Sequence, residues 1–592
     1  MSHTFHIPVL GLGFSIDTPL KVARYGISSV MSVVDDELIE RMREYHSHEN
    51  GEAFTPIKKN VSDHRAKRIT AYLNLVKKLV DEQFELLKKQ PFEPGTDLCR
   101  YFELLPETSQ LKQGYDLMLE YPEGTQKKIF QAILRQKIET GSMDVNIMAK
   151  VDKLNFNTEG NYTGDENTDA LAALRGFAQS NLYSSVILSA GMNPKLYSYL
   201  ENFPDFFPYD DEQFKKKIIL KVSDFRSAFI QAKFLAKKGL WVSEFRIESG
   251  LNCGGHAFAT EGFLLGPILD EFKMRRSEML DELYALYDSA LIQKGMFTSR
   301  PPVQKISVQG GIGTAAENDF LKHYYNVDAT GWGSPFLLVP EATNVDDETL
   351  NKLTAAGQSD YYLSNSSPLG ILFNNFKQSS SEQLRLSRIE KNRPGSPCTK
   401  KFLCSNTEFT AQPICTASRE YQNQKIKQLE ALNLPEAEHQ ASFDSITEKI
   451  CLCEGLCSSA YLKYGIAKPK ENTAVAICPG PNLAYFKHIF SLDEMVGHIY
   501  GKLDILKNVT RPHMFIKELE LYVSYLQKDI QQNLLTLTDK KSKQLSKFKE
   551  QLLNGISYYK TIFSEIQLLP DDARAQLQVF EDMLLKQPLF NF

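Results

Sequence analysis

Short apolar runs alternate with helical patterns along the first half of the chain. Residues 7–13 form an apolar run that ends in glycine, and residues 17–24 then have a helical pattern with Pro19 near its start. Residues 27–34 are rich in β-forming side chains. This strand–helix–strand beginning favours a parallel sheet.

The alternation is interrupted after the second run. From Glu37 to about Gly141 the chain is charged and has a helical period. One stripe of that pattern is apolar, and it consists of Leu73, Leu75, Val76, Leu79 and Val80. We interpret the segment as a helical insertion after strand 2.

Strand-like runs resume after the insertion, with helical patterns such as 227–237 between most of them. The six further runs are 144–149, 185–189, 217–222, 242–249, 305–309 and 327–330. Each is short and apolar, as expected of a strand buried on both faces. With the first two they predict an α/β fold, a (β/α)8 TIM barrel.

The alternation stops after about Glu341. Residues 394–413 predict an irregular but ordered segment, and 442–465 predict a helix around three cysteines. Amphipathic helices are expected from Asn482 onward, including 514–533, 541–563 and 571–586. We therefore predict a barrel over 1–345, a cysteine-containing extension packed on it over 346–480, and a mainly helical C-terminal region over 481–592.

Composition narrows the classes of function. The chain has 592 residues, 42% hydrophobic and 24% charged, which is typical of a soluble globular protein. A net charge of −5 provides no basic patch of the kind nucleic-acid binding requires. No signal peptide and no uncharged stretch near the ~20 residues of a membrane span are evident. We expect a cytoplasmic protein without a membrane span.

Three groups of glycines follow predicted strands, where a β/α barrel keeps its chemistry. Small residues at these positions let backbone N–H groups approach a phosphate, so the pattern predicts an anionic cofactor. His256, beside the first group, is a candidate acid or base. The groups are Gly254-Gly255-His256, Gln309-Gly310-Gly311-Ile312-Gly313 and Gly331-Trp332-Gly333-Ser334.

These residues also fit other interpretations. Gly11-Leu12-Gly13 suggests a dinucleotide-binding fold, but Ile16 stands where the third glycine belongs. The later glycines could simply form turns, and His256 could be a packed core histidine. Two glycine groups on adjacent strands, where barrels place a phosphate site, favour the cofactor interpretation.

The motifs resemble those of nitronate monooxygenases, formerly called 2-nitropropane dioxygenases, in their order along the chain. That family includes the flavin-dependent enoyl-acyl-carrier-protein reductases. The resemblance is closest to a long subfamily with extra C-terminal segments. The motifs that carry it lie at 7–13, 145–148, 248–256, 309–312, 333–337, 367–373, 415–418 and 449–456.

The resemblance implies an FMN cofactor and a role for each matching residue. Gly11 and Gly13 would contact the isoalloxazine, and Asn146 and Lys221 would lie near its polar edge. His256 would be the catalytic base. The remaining cofactor-binding residues would be Gly254 and Gly255 and, at the phosphate, Gly310, Gly311, Gly333 and Ser334.

Two departures from the family pattern affect these assignments. Residues 249–253 separate the strand glutamate from Gly254, which is a longer gap than usual. Ser334-Pro335 stands where Thr-Arg is frequent. A serine preserves the phosphate contact, whereas the acid–base role and the substrate depend on the altered gap.

The function implied is oxidation of a nitronate, a nitroalkane or a similar carbon acid by FMN and O2. One alternative is an NAD(P)H-dependent reductase of an enoyl thioester. Another is a flavin-binding scaffold without turnover, because the insertion and the helical C-terminal region suit a protein partner or a homo-oligomer.

Six cysteines and three histidines are candidate metal ligands. The spacing of the cysteines is not that of a standard metal site. One residue separates Cys451 from Cys453 and three separate Cys453 from Cys457, and the other candidates are Cys398, Cys404 and Cys415. We expect packed free thiols and no metal, although Cys415, Cys451 and Cys453 could meet in space. For His46, His48 and His64 the polar setting predicts a solvated loop.

Overall fold

The computed structural model describes residues 3–147, 152–156, 159, 161–189, 191–210, 212–253, 262–533, 538–565 and 571–586. Eight parallel strands pair in chain order and close into a barrel, which confirms the predicted (β/α)8 fold. The strands are β1 (Phe5–Ile7), β2 (Ser28–Ser32), β3 (Met143–Asn146), β4 (Ser184–Leu188), β5 (Lys216–Val222), β6 (Val242–Glu248), β7 (Lys305–Gln309) and β8 (Ala329–Gly331).

The first strand is not where the apolar run predicted it. The run covers 7–13, but β1 pairs with its neighbours only as far as Ile7. Pro8 has no N–H to donate to a ladder, so pairing ends before it. Gly11 and Gly13 therefore lie in the loop after β1. Residues 148 and 149, predicted as part of the third strand, lie outside the described residues.

The predicted helical insertion after β2 is confirmed. Its first long helix is N-capped by Asp35, whose side chain accepts from the N–H groups of Glu37 and Leu38. Of the predicted stripe, Leu73, Val76, Leu79 and Val80 are buried. The helices up to β3 are α1 (Thr18–Val22), α2 (Asp36–Glu49), α3 (His64–Lys89), α4 (Asp97–Glu103), α5 (Gln110–Glu120) and α6 (Thr125–Lys137).

Helices return the chain between the later strands. The longest, α10, follows β6 and is longer than the barrel requires. These helices are α7 (Asp169–Ala178), α8 (Pro194–Tyr199), α9 (Phe225–Ala236), α10 (Leu265–Gln293) and α11 (Ala315–Tyr324).

The rest of the chain is mainly helical, as predicted, with one hairpin that the sequence pattern did not indicate. The antiparallel strands of the hairpin are β9 (Tyr361–Ser364) and β10 (Phe373–Phe376). The helices are α12 (Asp347–Ala355), α13 (Ser380–Glu390), α14 (Arg419–Ala431), α15 (Glu436–Thr447), α16 (Leu452–Lys463), α17 (Leu492–Ile499), α18 (Met514–Asn533), α19 (Asp539–Glu565) and α20 (Asp571–Lys586).

The single helix predicted over 442–465 is wrong. The chain leaves the helix after Thr447 and re-enters one at Leu452. In between, the N–H of Ile450 donates to the carbonyl of Ser366, and Glu448 accepts from the N–H of Asn365. Contacts with the hairpin segment thus replace the intrahelical hydrogen bonds.

One apolar core joins the barrel, the insertion and the C-terminal helices. Leu73 of α3, Phe245 of β6 and Leu519 of α18 are fully buried in it. A separate small apolar cluster lies in the barrel interior, formed among the described residues by Val30, Ile187 and Ile219 with Val9 packed against it. The division of the chain at 345 and 480 stays a prediction. Among the described helices, none is long and apolar enough to span a membrane.

Candidate functional site

Polar side chains meet at the C-terminal mouth of the barrel. Strand pairing places Lys221 of β5, Glu248 of β6 and Gln309 of β7 on the inward face. Glu248 Oε1 accepts from Lys221 Nζ at 3.2 Å and from Gln309 Nε2 at 2.9 Å. Asn252 Nδ2 donates to the same oxygen at 2.8 Å. The carboxylate therefore fixes a cation and two amides around the mouth.

Two polar atoms on the opposite side of this mouth have no partner. Asn146 is the last residue of β3 and pairs in register with Ser32, the last residue of β2. Asn146 Oδ1 and Ser32 Oγ are both buried, and neither has a hydrogen-bond partner. Buried polar groups without partners are rare and costly in folded proteins. A polar ligand at the mouth would satisfy both atoms.

The glycines after β1 differ from each other. Gly11 has φ +152° and a Cβ there would lie 2.6 Å from the ring of Phe14, so glycine is needed at this turn. The N–H of Gly13 donates to the carbonyl of Leu456 at 2.8 Å, and a Cβ on Gly13 would lie 3.1 Å from Ala460 Cβ. Gly13 thus packs against α16, and a flavin contact by it stays a prediction.

The glycines after β7 and β8 surround the segment that follows β6. A Cβ on Gly310 would lie 2.8 Å from the backbone N of Asn252, and one on Gly311 would lie 2.6 Å from Leu251 Cδ1. A Cβ on Gly333 would lie 2.5 Å from Cys253 Sγ. Close approach of the chain to itself therefore requires these glycines, whether or not their N–H groups also face a phosphate.

Arg511 covers the loop after β7 from the outside. Its Nη1 donates to Glu317 Oε1 at 2.6 Å and its Nη2 donates to the carbonyl of Gly311 at 2.5 Å. Its Nε donates to Asn482 Oδ1 at 2.8 Å, and Asn482 Nδ2 donates to the carbonyl of Ile312. This loop is held by the C-terminal part of the chain.

Ser334 begins a short 3₁₀ helix, Ser334–Leu338, beside Gly333. Its hydroxyl is close to Gly480, because a Cβ on Gly480 would lie 2.8 Å from Ser334 Oγ. Gly310, Gly311 and Gly333 contact residues 251–253, and Gly480 contacts both Ser334 and that segment. A phosphate contact by these residues stays a prediction.

Gly254, Gly255 and His256 lie outside the described residues, and their assignments stay predictions. Cys253 on one side and Gly262 on the other are described.

Below the mouth, the barrel interior holds a buried ion cluster. Arg246 Nε donates to Glu244 Oε1 at 2.9 Å, and Arg246 Nη2 lies 3.6 Å from Asp144 Oδ2. Burial alone would raise the pKa of Glu244, but the Arg246 guanidinium lowers it to about 2. Burial raises the pKa of Asp144. Burial and the charge of Arg246 lower the pKa of His6 to about 3, so His6 is neutral at physiological pH.

Four residues of the mouth were not predicted from the sequence, namely Glu248, Gln309, Asn252 and Ser32. Three of them end their strands on the inward face, so polar residues at the last inward position of each strand were the available signal. Asn252 had no such signal, since it lies in the loop after β6.

The cysteines meet in an apolar cluster apart from the barrel. Cys415, Cys451 and Cys453 all lie in this cluster, so the meeting in space that the sequence allowed does occur. Cys398 and Cys404 lie there too. A thiol hydrogen bond with Cys453 lowers the pKa of Cys451 to about 7. Among the described residues, no three His, Cys, Asp or Glu side chains converge on a metal position.

The solvated loop predicted for the three histidines is wrong. His46 and His48 lie in α2, and His64 begins α3. His46 is buried and its Nε2 lies 3.1 Å from Asp17 Oδ2, which ties the insertion to the loop after β1.

Comparisons with known proteins add little information about this chain. No family model and no curated protein matches the chain. The enoyl reductase domain of MlnA, from the macrolactin biosynthesis cluster of Bacillus amyloliquefaciens, is 14% identical over 69% of this chain and 87% of that one, with a TM-score of 0.31. FabK from Thermotoga maritima is 13% identical over 67% and 81%, with a TM-score of 0.29. Scores this low carry no argument about function.

Proposed function

We propose that this protein is a flavin-dependent oxidoreductase that binds FMN at the C-terminal mouth of the barrel. The observation that carries the proposal is the pair of buried, unpartnered atoms Asn146 Oδ1 and Ser32 Oγ, which face the Lys221–Glu248 pair. A planar heterocycle with polar groups along one edge suits these atoms, because its donors and acceptors can pair with them while the flat ring takes up little space.

The two halves of the cofactor would meet different parts of the site. Asn146 and Lys221 fit the polar edge of the ring, and Gly11 lies in the neighbouring loop. At the phosphate, Gly310, Gly311 and Gly333 would contribute backbone N–H groups only, since their side-chain directions are filled, and Ser334 would contribute beside them. The bound flavin would supply acceptance or donation of a hydride equivalent.

The chain's own residues would hold charge and move a proton. Glu248 keeps the Lys221 ammonium in place at the mouth, where a cation stabilises negative charge developing on a bound group. His256 is proposed as the base that removes the α-proton of a carbon acid.

The substrate proposed is a nitronate, a nitroalkane or a similar carbon acid, with O2 as the electron acceptor. The enoyl-thioester reductase and the scaffold without turnover are kept as outcomes of the same experiment. Purified protein should release FMN on heating, identified by mass. Release of FAD, or no flavin after reconstitution, would overturn the cofactor assignment.

Two assays then separate the activities. Oxygen uptake with ethyl nitronate is expected for the proposed oxidase reaction, and NAD(P)H oxidation with a crotonyl thioester is expected for the reductase. Bound FMN with neither activity would favour the scaffold.

The role of His256 can be tested by comparing two forms of one substrate. His256→Ala should retain FMN and lose about 10²–10⁴-fold in turnover of neutral nitroethane. Turnover of the pre-formed nitronate should fall far less, because its α-proton is already gone. Equal losses on both forms would mean that His256 is not the base.

A further inference from the structure

A cavity of about 610 Å³ lies at the N-terminal end of the barrel, opposite the mouth. Its walls include Lys217 of β5 and Arg246 of β6, which precede Lys221 and Glu248 of the mouth on the same two strands. Even spacing along a strand keeps side chains on one face, so both pairs point into the barrel. The barrel therefore has polar side chains at two ends, and the proposed function uses only one of them.

Arg246 lines this cavity and has one hydrogen-bond donor left over. Its side chain is 3% exposed, and its Nε donates to Glu244 Oε1 at 2.9 Å. Its Nη2 lies 3.6 Å from Asp144 Oδ2, but its Nη1 is buried without a hydrogen-bond partner. A buried donor without an acceptor is costly, and an acceptor atom of a ligand would satisfy it.

Two lysines add positive charge to the same cavity. Lys217 of β5 and Lys305 of β7 both line it. Burial and the charge of Lys305 lower the pKa of Lys217. Two like charges in such proximity raise the free energy of the folded protein, and a bound anion would offset that cost.

The carboxylates of the cavity are mostly committed elsewhere. Glu244 pairs with Arg246, and Glu212 pairs with an arginine outside the cavity. Burial raises the pKa of Asp144, which disfavours its charged form. Glu139 is exposed to solvent. An anion that enters the cavity would therefore meet cationic side chains that these carboxylates do not fully neutralise.

Large side chains surround the cavity and are exposed to solvent. Tyr183 is 64% exposed, Tyr209 is 60% exposed and Val303 is 68% exposed, and all three line the cavity. Aromatic and aliphatic groups beside a few polar ones are typical of small-molecule sites. The combination suits a ligand that has an apolar body and one anionic group.

We infer that this cavity binds a small organic carboxylate. The carboxylate would pair with Lys217, Lys305 and Arg246, and the apolar body would pack against Tyr183, Tyr209 and Val303. The site is at the opposite end of the barrel from the proposed flavin site, and the inference does not depend on the proposed function.

Three probes test the chemistry of the ligand on the full-length protein. Isothermal titration should give benzoate a Kd of about 1 mM or lower. Benzamide has the same ring without the charge, and acetate has the charge without the ring. Each should bind at least about tenfold more weakly than benzoate. No binding of benzoate, or equal binding of either analogue, would overturn the inference.

A pair of lysine variants tests the position of the site. Lys217→Met removes the charge and keeps an apolar chain, and it should weaken benzoate binding by about 10–100-fold. Lys221→Met is the matched control, because Lys221 lies on the same strand and the same face but at the mouth. It should leave the benzoate affinity unchanged. Equal losses in the two variants, or a loss in Lys221→Met alone, would overturn the inference.

A second pair of variants tests the apolar contact at exposed positions on which folding does not depend. Tyr183→Ala should weaken benzoate binding by about threefold to tenfold and leave acetate binding unchanged. Phe297→Ala is the matched control, because this ring is 73% exposed and does not line the cavity. It should change neither affinity. An unchanged benzoate affinity in Tyr183→Ala would overturn the proposed placement of the apolar body.

Discussion

The two sides of the candidate site use their polar groups differently. On the β2–β3 side, Ser32 Oγ and Asn146 Oδ1 are buried without partners. On the β7–β8 side, Arg511 donates a hydrogen bond to the carbonyl of Gly311 and also forms an ion pair with Glu317. Two polar atoms of the first side thus lack partners, whereas polar groups of the second side are paired by the chain itself.

This difference changes what a glycine motif can be taken to mean. After β7 and β8 the glycines are the residues expected of a phosphate cradle, yet each is also required by a close approach of residues 251–253. Replacing them would perturb packing first and cofactor binding second. The unpartnered atoms of β2 and β3 are therefore the better probes of ligand binding, because the stability of the flavin-free protein does not depend on hydrogen bonds to them.

The largest effect is expected from removing Arg511. Arg511 and Glu317 have side chains only 6% and 4% exposed. Arg511→Ala should lower the free energy of unfolding by about 3–5 kcal/mol, because it leaves a buried carboxylate without its cation. Denaturant unfolding of flavin-free protein measures this. Arg275→Ala, which removes exposed pairs with Glu271 and Glu278, should change little.

The pH dependence of this pair has a definite sign. Burial alone would raise the pKa of Glu317, but Arg511 lowers it below the usual value. Its stabilisation is therefore present above the pKa of the unfolded state, about 4.5, and is lost as pH falls. In Arg511→Ala burial would dominate, so stability should instead fall as pH rises above that value. A parallel pH profile in both proteins would contradict the assignment.

A smaller loss is expected from Gly310→Ala. The new Cβ would lie 2.8 Å from the backbone N of Asn252, and backbone cannot yield as a side-chain tip can. Gly370→Ala is the matched control, because Gly370 also has a positive φ, +67° against +104°, but has nothing within 4 Å. Gly310→Ala should cost about 1–3 kcal/mol more than the control in the free energy of unfolding. Equal costs would mean that the backbone conformation alone requires the glycine.

The sequence predicted the elements of this fold better than the contacts between them. Eight short apolar runs indicated the barrel because local periodicity reports strands and helices. The same periodicity misplaced β1, where Pro8 ends pairing, and joined α15 to α16, because the Ile450–Ser366 hydrogen bond cannot be read from neighbouring residues.

The candidate site was predicted in part for the same reason. Asn146 and Lys221 were found through the resemblance, and both occupy inward positions near the ends of their strands. Arg511 was not found, since its carboxylate partner Glu317 is 194 residues away and the carbonyl of Gly311 is 200 residues away. Contacts over such separations leave no period in a single sequence.

The β2–β3 side can be tested with Asn146→Ala. Because Asn146 Oδ1 has no partner, the variant should leave the unfolding free energy of flavin-free protein unchanged or slightly higher. FMN affinity should fall about fivefold to tenfold, the loss of about one hydrogen bond. Asn344→Ala should lower the unfolding free energy of flavin-free protein and leave FMN affinity unchanged. The reason is that Asn344 Nδ2 donates to buried Asp17 Oδ1 at 2.6 Å. Unchanged FMN affinity in Asn146→Ala would remove the main support for the ligand site.

The smallest effect concerns His6, which contacts Gln309 at the mouth of the barrel. His6 Nε2 lies 3.3 Å from Gln309 Oε1, and Gln309 Nε2 donates to Glu248. Burial and the charge of Arg246 lower the pKa of His6 to about 3, so the unfolded chain takes up the proton first as pH falls below about 6.5. Stability from this residue is therefore full above pH 6.5 and is lost on acidification, by less than about 1 kcal/mol between pH 7 and 6. His6→Asn should flatten that part of the stability profile, while His488→Asn, at an exposed position, should not. An unchanged slope in His6→Asn would mean that His6 is protonated in the folded barrel, and that the interior beneath the mouth is more open to water than its packing indicates.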